Sequence, residues 1–364
     1  MRHCLPGVVM LLTLLIQKSH PLEPAQYDGT ALAQYDGTAA ARWWDGGNPR
    51  ATTTEPPACV AARSGGRCTA AVCCVVCAAA ADCTAEIQAA LDSPAAHTIV
   101  FAARTWVTQP LRLTRNNSHL IFAPGAVVLS KQGSFRGIAD SLFSAYVTSN
   151  LTISGYGATW RMRRAEYNNN KLYHHSEGRH GLCLMGCRNT IVEGLRIELT
   201  GGDGISAWKG HAFDHANPGD HGDDYCPPAL ALNNPACACV NLLVRDVVCD
   251  RNYRQGMSVM LAENLLVENS TFSNTAGTPP AAGLDIEPDH PNYRFVNVTF
   301  RGCSFLGNRG GGIGITTARM DATSPPISIS FEDTTIVGGS ELQCKCQFFL
   351  EFSIENAEIM ENCP

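Results

Sequence analysis

From Thr98 onward the chain alternates short apolar runs with Gly, Asn and Asp, and helical periodicity nearly vanishes. One pattern recurs: Asn, apolar, any, apolar, any, then Gly, Asp or Asn. It starts at Asn150, Asn189, Asn241, Asn264 and Asn297, with Thr190 as the one polar second position and a weaker copy, lacking the Asn, from Ser328. A second pattern, Gly-apolar-any-apolar, follows at Gly204, Gly256, Gly283 and Gly312, at offsets of 15, 15, 19 and 15 residues from the preceding Asn. Gly181 to Leu184 reads as the same strand one coil earlier, followed by an insertion. Two unrelated hairpin loops of a β-sandwich would not keep such an offset. The expectation is a right-handed parallel β-helix, an all-β solenoid whose coils bury their apolar positions by stacking about 4.8 Å apart. Repeated Asn suits a left-handed turn and a side-chain hydrogen-bond ladder.

Upstream, Asp82-Cys83-Thr84 followed by Ile87, Ala90 and Leu91 predicts a short amphipathic helix that ends at Pro94 and caps the open core. Leu5 to Ile16 is a 12-residue apolar stretch behind Arg2, which reads as a secretory signal peptide over 1–19 rather than an uncleaved anchor. Residues 20–58 are Ala/Gly/Thr/Pro-rich and repeat Ala-Gln-Tyr-Asp-Gly-Thr at 25–30 and 33–38, which predicts a linker or propeptide. A Cys-rich segment fills 59–81, and the β-helix domain is assigned to 82–364.

The cap Asp82 to Leu91 and the Asn-led coils resemble the pectin-lyase-like right-handed β-helix superfamily over about three quarters of the chain. That resemblance is specific for fold. It implies carbohydrate chemistry only in outline, because such helices host hydrolases, lyases, epimerases and non-catalytic adhesins.

Composition narrows the class further. The 364 residues hold 27 Lys+Arg against 33 Asp+Glu, a formal charge of −6, and only 16% are charged, against the usual ~25%. This excludes a disordered chain, a coiled coil and a broadly basic nucleic-acid binder. Of 17 cysteines, loss of Cys4 with the signal leaves an even 16, as oxidised pairs require, with local bridges such as Cys183/Cys187 or Cys344/Cys346 among the options. Cys74-X-X-Cys77 has zinc-ligand spacing, but a secreted chain favours disulfides. Asn116, Asn150, Asn269 and Asn297 head glycosylation triplets. The expected protein is secreted and monomeric, acts on a polysaccharide, and has no nucleic-acid partner and no membrane association after signal cleavage.

Strand alternation locates candidate chemistry. If the apolar pair of each Gly-apolar-any-apolar strand points inward, Cys183, Ser206, Ser258, Asp285 and Gly314 form one outward column. Met185, Trp208, Met260, Glu287 and Thr316 form the next. A one-residue slip would bury the carboxylates. Asp285 and Glu287 lie at i and i+2, about 6.5–7 Å apart at Cα, and a glycosidase needs two carboxyl groups roughly 5–9.5 Å apart. The expectation is glycoside hydrolysis by this pair, with Arg254 and Asp203 in the same machinery. Trp208 is read as a stacking platform, and Arg179, His180, Tyr253, Lys209 and Arg309 as substrate contacts.

Asp203, in Gly201-Gly202-Asp203-Gly204, resembles part of the polygalacturonase Asp-Gly element. Nothing in the chain matches the Gly-His-Gly or Arg-Ile-Lys of those enzymes, so polygalacturonase chemistry is not implied. The insertion from Lys209 to Cys239 carries His211, Asp214, His215, Asp220, His221, Asp223 and Asp224, read as a substrate-contacting lid with metal binding as the alternative. Hydrolysis needs no cofactor. A polyuronide lyase or C5-epimerase on the same groove is the alternative, with calcium on the acidic residues and His180 or Tyr253 handling the proton. A non-catalytic glycan-binding β-helix is the third reading.

Overall fold

The computed structural model describes residues 72–78, 82–209 and 238–338, together with the backbone of strands Gln343–Lys345, Leu350–Glu355 and Glu358–Met360. The signal-peptide and linker assignments, most of the Cys-rich segment, the His/Asp-rich insertion, Cys346 and the side chain of Cys344 lie outside the described residues.

The chain is a right-handed parallel β-helix. One face is an eight-stranded parallel sheet running from Leu111–Leu113 through Phe143–Tyr146, Leu182–Met185, Ile205–Trp208, Met257–Val259, Leu284–Ile286 and Ile313–Thr316 to Gln343–Lys345. The other two faces are joined into one sheet because Ser149–Arg161 and Arg188–Glu198 run on from one face to the next. The first rung starts inside the Cys-rich segment, where Val72–Cys74 pairs with Thr98–Val100.

Each feature of the repeat has a structural counterpart. Asn150, Asn189, Asn241, Asn264 and Asn297 all sit at φ between +48° and +58°, a turn conformation that Asn tolerates better than most residues. Each donates its side-chain amide to the Oδ1 of the previous coil, in a ladder that begins at Asn117. The second and fourth positions, from Leu151 and Ile153 to Ile329 and Phe331, are buried, Thr190 among them. Like residues stack along the core axis, as in Phe272 on Phe305 and Phe300 on Phe331.

The N-terminal helix, Thr84–Asp92, lays Ile87, Ala90 and Leu91 over the open end of the core. Asp82 accepts from the Thr84 amide, and Ser93, preceding Pro94, is extended and ends the helix. Cys77 and Cys83 form a disulfide, and Cys73 and Cys74 are also disulfide-bonded. The suggested Cys183/Cys187 bridge does not form. Chain reversal at Gly186 (φ +61°) sends Cys187 into the core while Cys183 stays on the outer face. With Cys239, Cys249 and Cys303 these are free, buried thiols, filling space as small apolar groups do. Among the described residues no helix is long and apolar enough to cross a membrane.

Candidate functional site

The site lies on the outer face of the eight-stranded sheet. Parallel pairing joins Ser144, Cys183, Ser206, Ser258, Asp285 and Gly314 in one column. Their strand neighbours, such as Leu284 and Ile286, fill the core. The column was expected on an open surface, yet Cys183, Ser206, Ser258 and Asp285 are buried. Turn residues before the next strands fold over them and form a covered polar floor.

Gly202 is the junction of that cover. Gly201–Gly202 pairs antiparallel with Gly178–Arg179 on one side. On the other, the Gly202 carbonyl accepts from the amides of Tyr253 and Arg254. A side chain at 202 would stand 2.3 Å from the Glu177 carbonyl oxygen, so only glycine fits. The consequence is that Glu177, Asp203 and Arg254, from three separate coils, are delivered to one place.

Arg254 is the hub of four carboxylates. Its Nε is 3.1 Å from Glu177, Nη1 is 3.8 Å from Asp203, and Nη2 is 3.9 Å from Asp285 and 3.8 Å from Glu287. Sharing one nitrogen, the Asp285 and Glu287 oxygens are at most about 8 Å apart, an upper bound inside the roughly 5–9.5 Å range of glycosidase pairs.

The carboxylates differ in surroundings. Asp203 is wholly buried and accepts from the Gln255 amide (3.1 Å) and the Ser258 hydroxyl (2.7 Å), while His180 Nδ1 lies 3.2 Å away. Burial alone would raise its pKa, but His180, Arg254 and Ser258 outweigh it and hold Asp203 below the usual carboxylate range. Asp285 goes the other way. Burial pushes it up to about 7, with Arg254 opposing and Glu287, Asp203 and Asp289 reinforcing. Its Oδ2 accepts from Gln255 Nε2, and its Oδ1 lies 3.5 Å from where a Cβ on Gly314 would stand. Glu287 is the solvent-facing partner, its side chain 37% exposed against 3% for Asp285.

Other expected contacts are placed differently. Arg179 is fully buried, with its guanidinium donating to the carbonyls of Phe135, Arg136 and His174 between Tyr167 and Tyr173. It is a structural cation, not a substrate contact. Trp208 packs against Met260, Leu261 and Tyr293, so its indole is a wall of a small apolar cluster rather than a free platform. Tyr253 is covered by the Arg164 guanidinium. Lys209 is buried, and Arg309 is exposed and makes no ion pair among the described residues. Burial pushes the Cys183 thiol up to about 12, which removes it as a nucleophile.

Sequence reasoning passed over Glu177, because it lies on the insertion between two strands where no repeat position marks it. Among the described residues no group of three His, Cys, Asp or Glu is arranged to hold a metal ion. The acidic residues converge on the Arg254 guanidinium.

No family model matches the sequence. The uncharacterized protein YclG of Bacillus subtilis (strain 168) is 25% identical over 220 residues, which is 56% of this chain and 34% of the relative. The match therefore spans about a third of the relative's length. Among solved structures, the Agl-KA catalytic domain aligns over 79% of this chain and 57% of that one (TM-score 0.45, 14% identity). An alginate lyase from Paenibacillus aligns over 77% and 98% (0.42, 12%). The mannuronan C-5 epimerase AlgE4 A-module of Azotobacter vinelandii aligns over 77% and 84% (0.41, 16%). These are likenesses of fold alone. In fold, the chain is a right-handed parallel β-helix.

Proposed function

We propose that the protein is a secreted polysaccharide-active enzyme that hydrolyses glycosidic bonds with Asp285 and Glu287. The observation that carries this reading is one guanidinium shared by two carboxyl groups of unlike environment, one buried and one exposed. In this reading Asp285, neutral below about pH 7, gives its proton to the glycosidic oxygen as the bond to the anomeric carbon breaks. Glu287 takes a proton from the water that adds to that carbon, or attacks it directly before hydrolysis. Substrate reaches Asp285 over Gly314. Asp203, Ser258 and Gln255 are positioning groups beneath the pair.

Charge supports hydrolysis over elimination or epimerisation. Those reactions need cations to neutralise a uronate, whereas Arg254 already faces four carboxylates. The disulfides at the capped end suit an oxidising compartment.

The test is a panel of neutral and acidic polysaccharides, following reducing ends together with the ultraviolet absorbance of unsaturated uronides. Hydrolysis gives reducing ends without new absorbance. Loss of either carboxyl, in D285N or E287Q, is expected to lower the rate about 10²–10⁴-fold. New absorbance would mean elimination, and full activity in both variants would refute the assignment.

A further inference from the structure

Glu177 is the carboxylate of this site that stands outside the repeat. We propose that Glu177 is a positioning residue, which fixes where the Arg254 guanidinium rests between Asp285 and Glu287. The inference deepens the hydrolytic reading and rests on it for its kinetic consequence.

Surface ion pairs between long side chains are usually weak, because both must be held still. Here the backbone does the holding. Glu177 directly precedes the Gly178–Arg179 strand that pairs with Gly201–Gly202, and Arg254 bonds through its own amide to the Gly202 carbonyl. The insertion bearing Glu177 is clamped at both ends. At one end, the Arg164 guanidinium donates to the carbonyls of Arg251, Asn252 and Ala276. At the other, buried Arg179 holds the carbonyls of Phe135, Arg136 and His174. Half-exposed Glu177 thus makes the shortest ion pair to Arg254, 3.1 Å from a buried Nε that forms no hydrogen bond, while Asp203, Asp285 and Glu287 compete for the two Nη groups at 3.8–3.9 Å.

Removing the Glu177 charge acts in one direction. The guanidinium is released toward the remaining carboxylates, and the negative charge that Glu177 holds against Arg254 disappears. Both effects favour ionised Asp285. The other charged groups that face it, namely Glu287, Asp203 and Asp289, with His180 behind Asp203, are unchanged.

The experiment is a carboxyl ¹³C NMR titration of the full-length protein, with the Asp285 signal assigned by its loss in D285N. In E177Q the Asp285 midpoint is expected to fall by roughly 0.5–1 pH unit, and E177D, which keeps the charge, to restore most of it. A melting temperature unchanged in E177Q shows that the fold is intact. A midpoint that stays put or rises in E177Q overturns the proposal. The alkaline limb of the pH–rate profile is then compared. If the midpoint moves while the limb does not, Asp285 is not the acid, and the hydrolytic reading fails while the role of Glu177 stands.

Discussion

Gln255 donates from Nε2 to Oδ2 of Asp285 over 3.0 Å, and its own Oε1 is fixed by the Ala282 amide at 2.8 Å. The amide is thus locked with its donor toward the carboxyl. Even so, burial keeps Asp285 protonated to about pH 7, far above the ~3.9 of an unfolded Asp. The folded state therefore binds this proton more tightly. That contribution is complete below about pH 4 and is lost as pH rises toward 7 and beyond. D285N, permanently neutral, removes the dependence. Its melting temperature relative to the parent is expected to rise by a few degrees between pH 5 and pH 8. A difference that is flat with pH would place the Asp285 titration elsewhere.

A Cβ at Gly314 would meet Oδ1 of Asp285 at 3.5 Å, an ordinary contact. G314A is expected to fold normally and G314V to keep its melting temperature within a few degrees. The valine side chain would cap the acid, so kcat/KM should fall at least about tenfold, which corresponds to ~1.4 kcal/mol. Full activity in G314V would show that substrate approaches from another side.

G202A should damage fold and site together. The new methyl would press on the Glu177 carbonyl, backbone that adjoins the paired strand Gly178–Arg179. A loss of about 2–3 kcal/mol is expected, read by denaturant unfolding. Arg254 should lose its fixed position at the same time, read as a change in the Asp285 titration. Wild-type stability would mean that the junction is pliable.

The asparagine ladder can be weighed at Asn241, which donates to Asn189 at 2.8 Å and accepts from Asn264 at 2.9 Å. N241A loses both bonds and sets a Cβ-bearing residue without a polar side chain at φ +56°. A cost of about 2–3 kcal/mol follows. N241G loses the bonds but tolerates the backbone, so it should cost about 1–2 kcal/mol. Equal losses in the two would assign the stability to hydrogen bonding alone.

Burial and hydrogen-bond demand act locally and repeat with every coil, so the sequence alone carries the solenoid. Asn at the turn, apolar residues one and three places on, and Gly about 15 residues later fix which side chains enter the core, and hence that Ser258, Asp285 and Gly314 share a column. The capping helix was legible for the same reason, since Ile87, Ala90 and Leu91 had to find an apolar end to cover. The sequence could not tell that the column is roofed. That depends on Gly202 drawing two distant turns together through backbone hydrogen bonds that carry no residue signature.

Arg179, Tyr253 and Arg254 look alike on paper, as polar residues just before a glycine strand. Only the tertiary structure sends Arg179 into a cage of carbonyls, covers Tyr253 with Arg164, and turns Arg254 toward the acids. Side-chain direction outside regular strands is decided by whichever partner long-range packing brings near. Glu177 is the clearest case. Its place in the site is created by an insertion, and an insertion obeys no period from which it could be read.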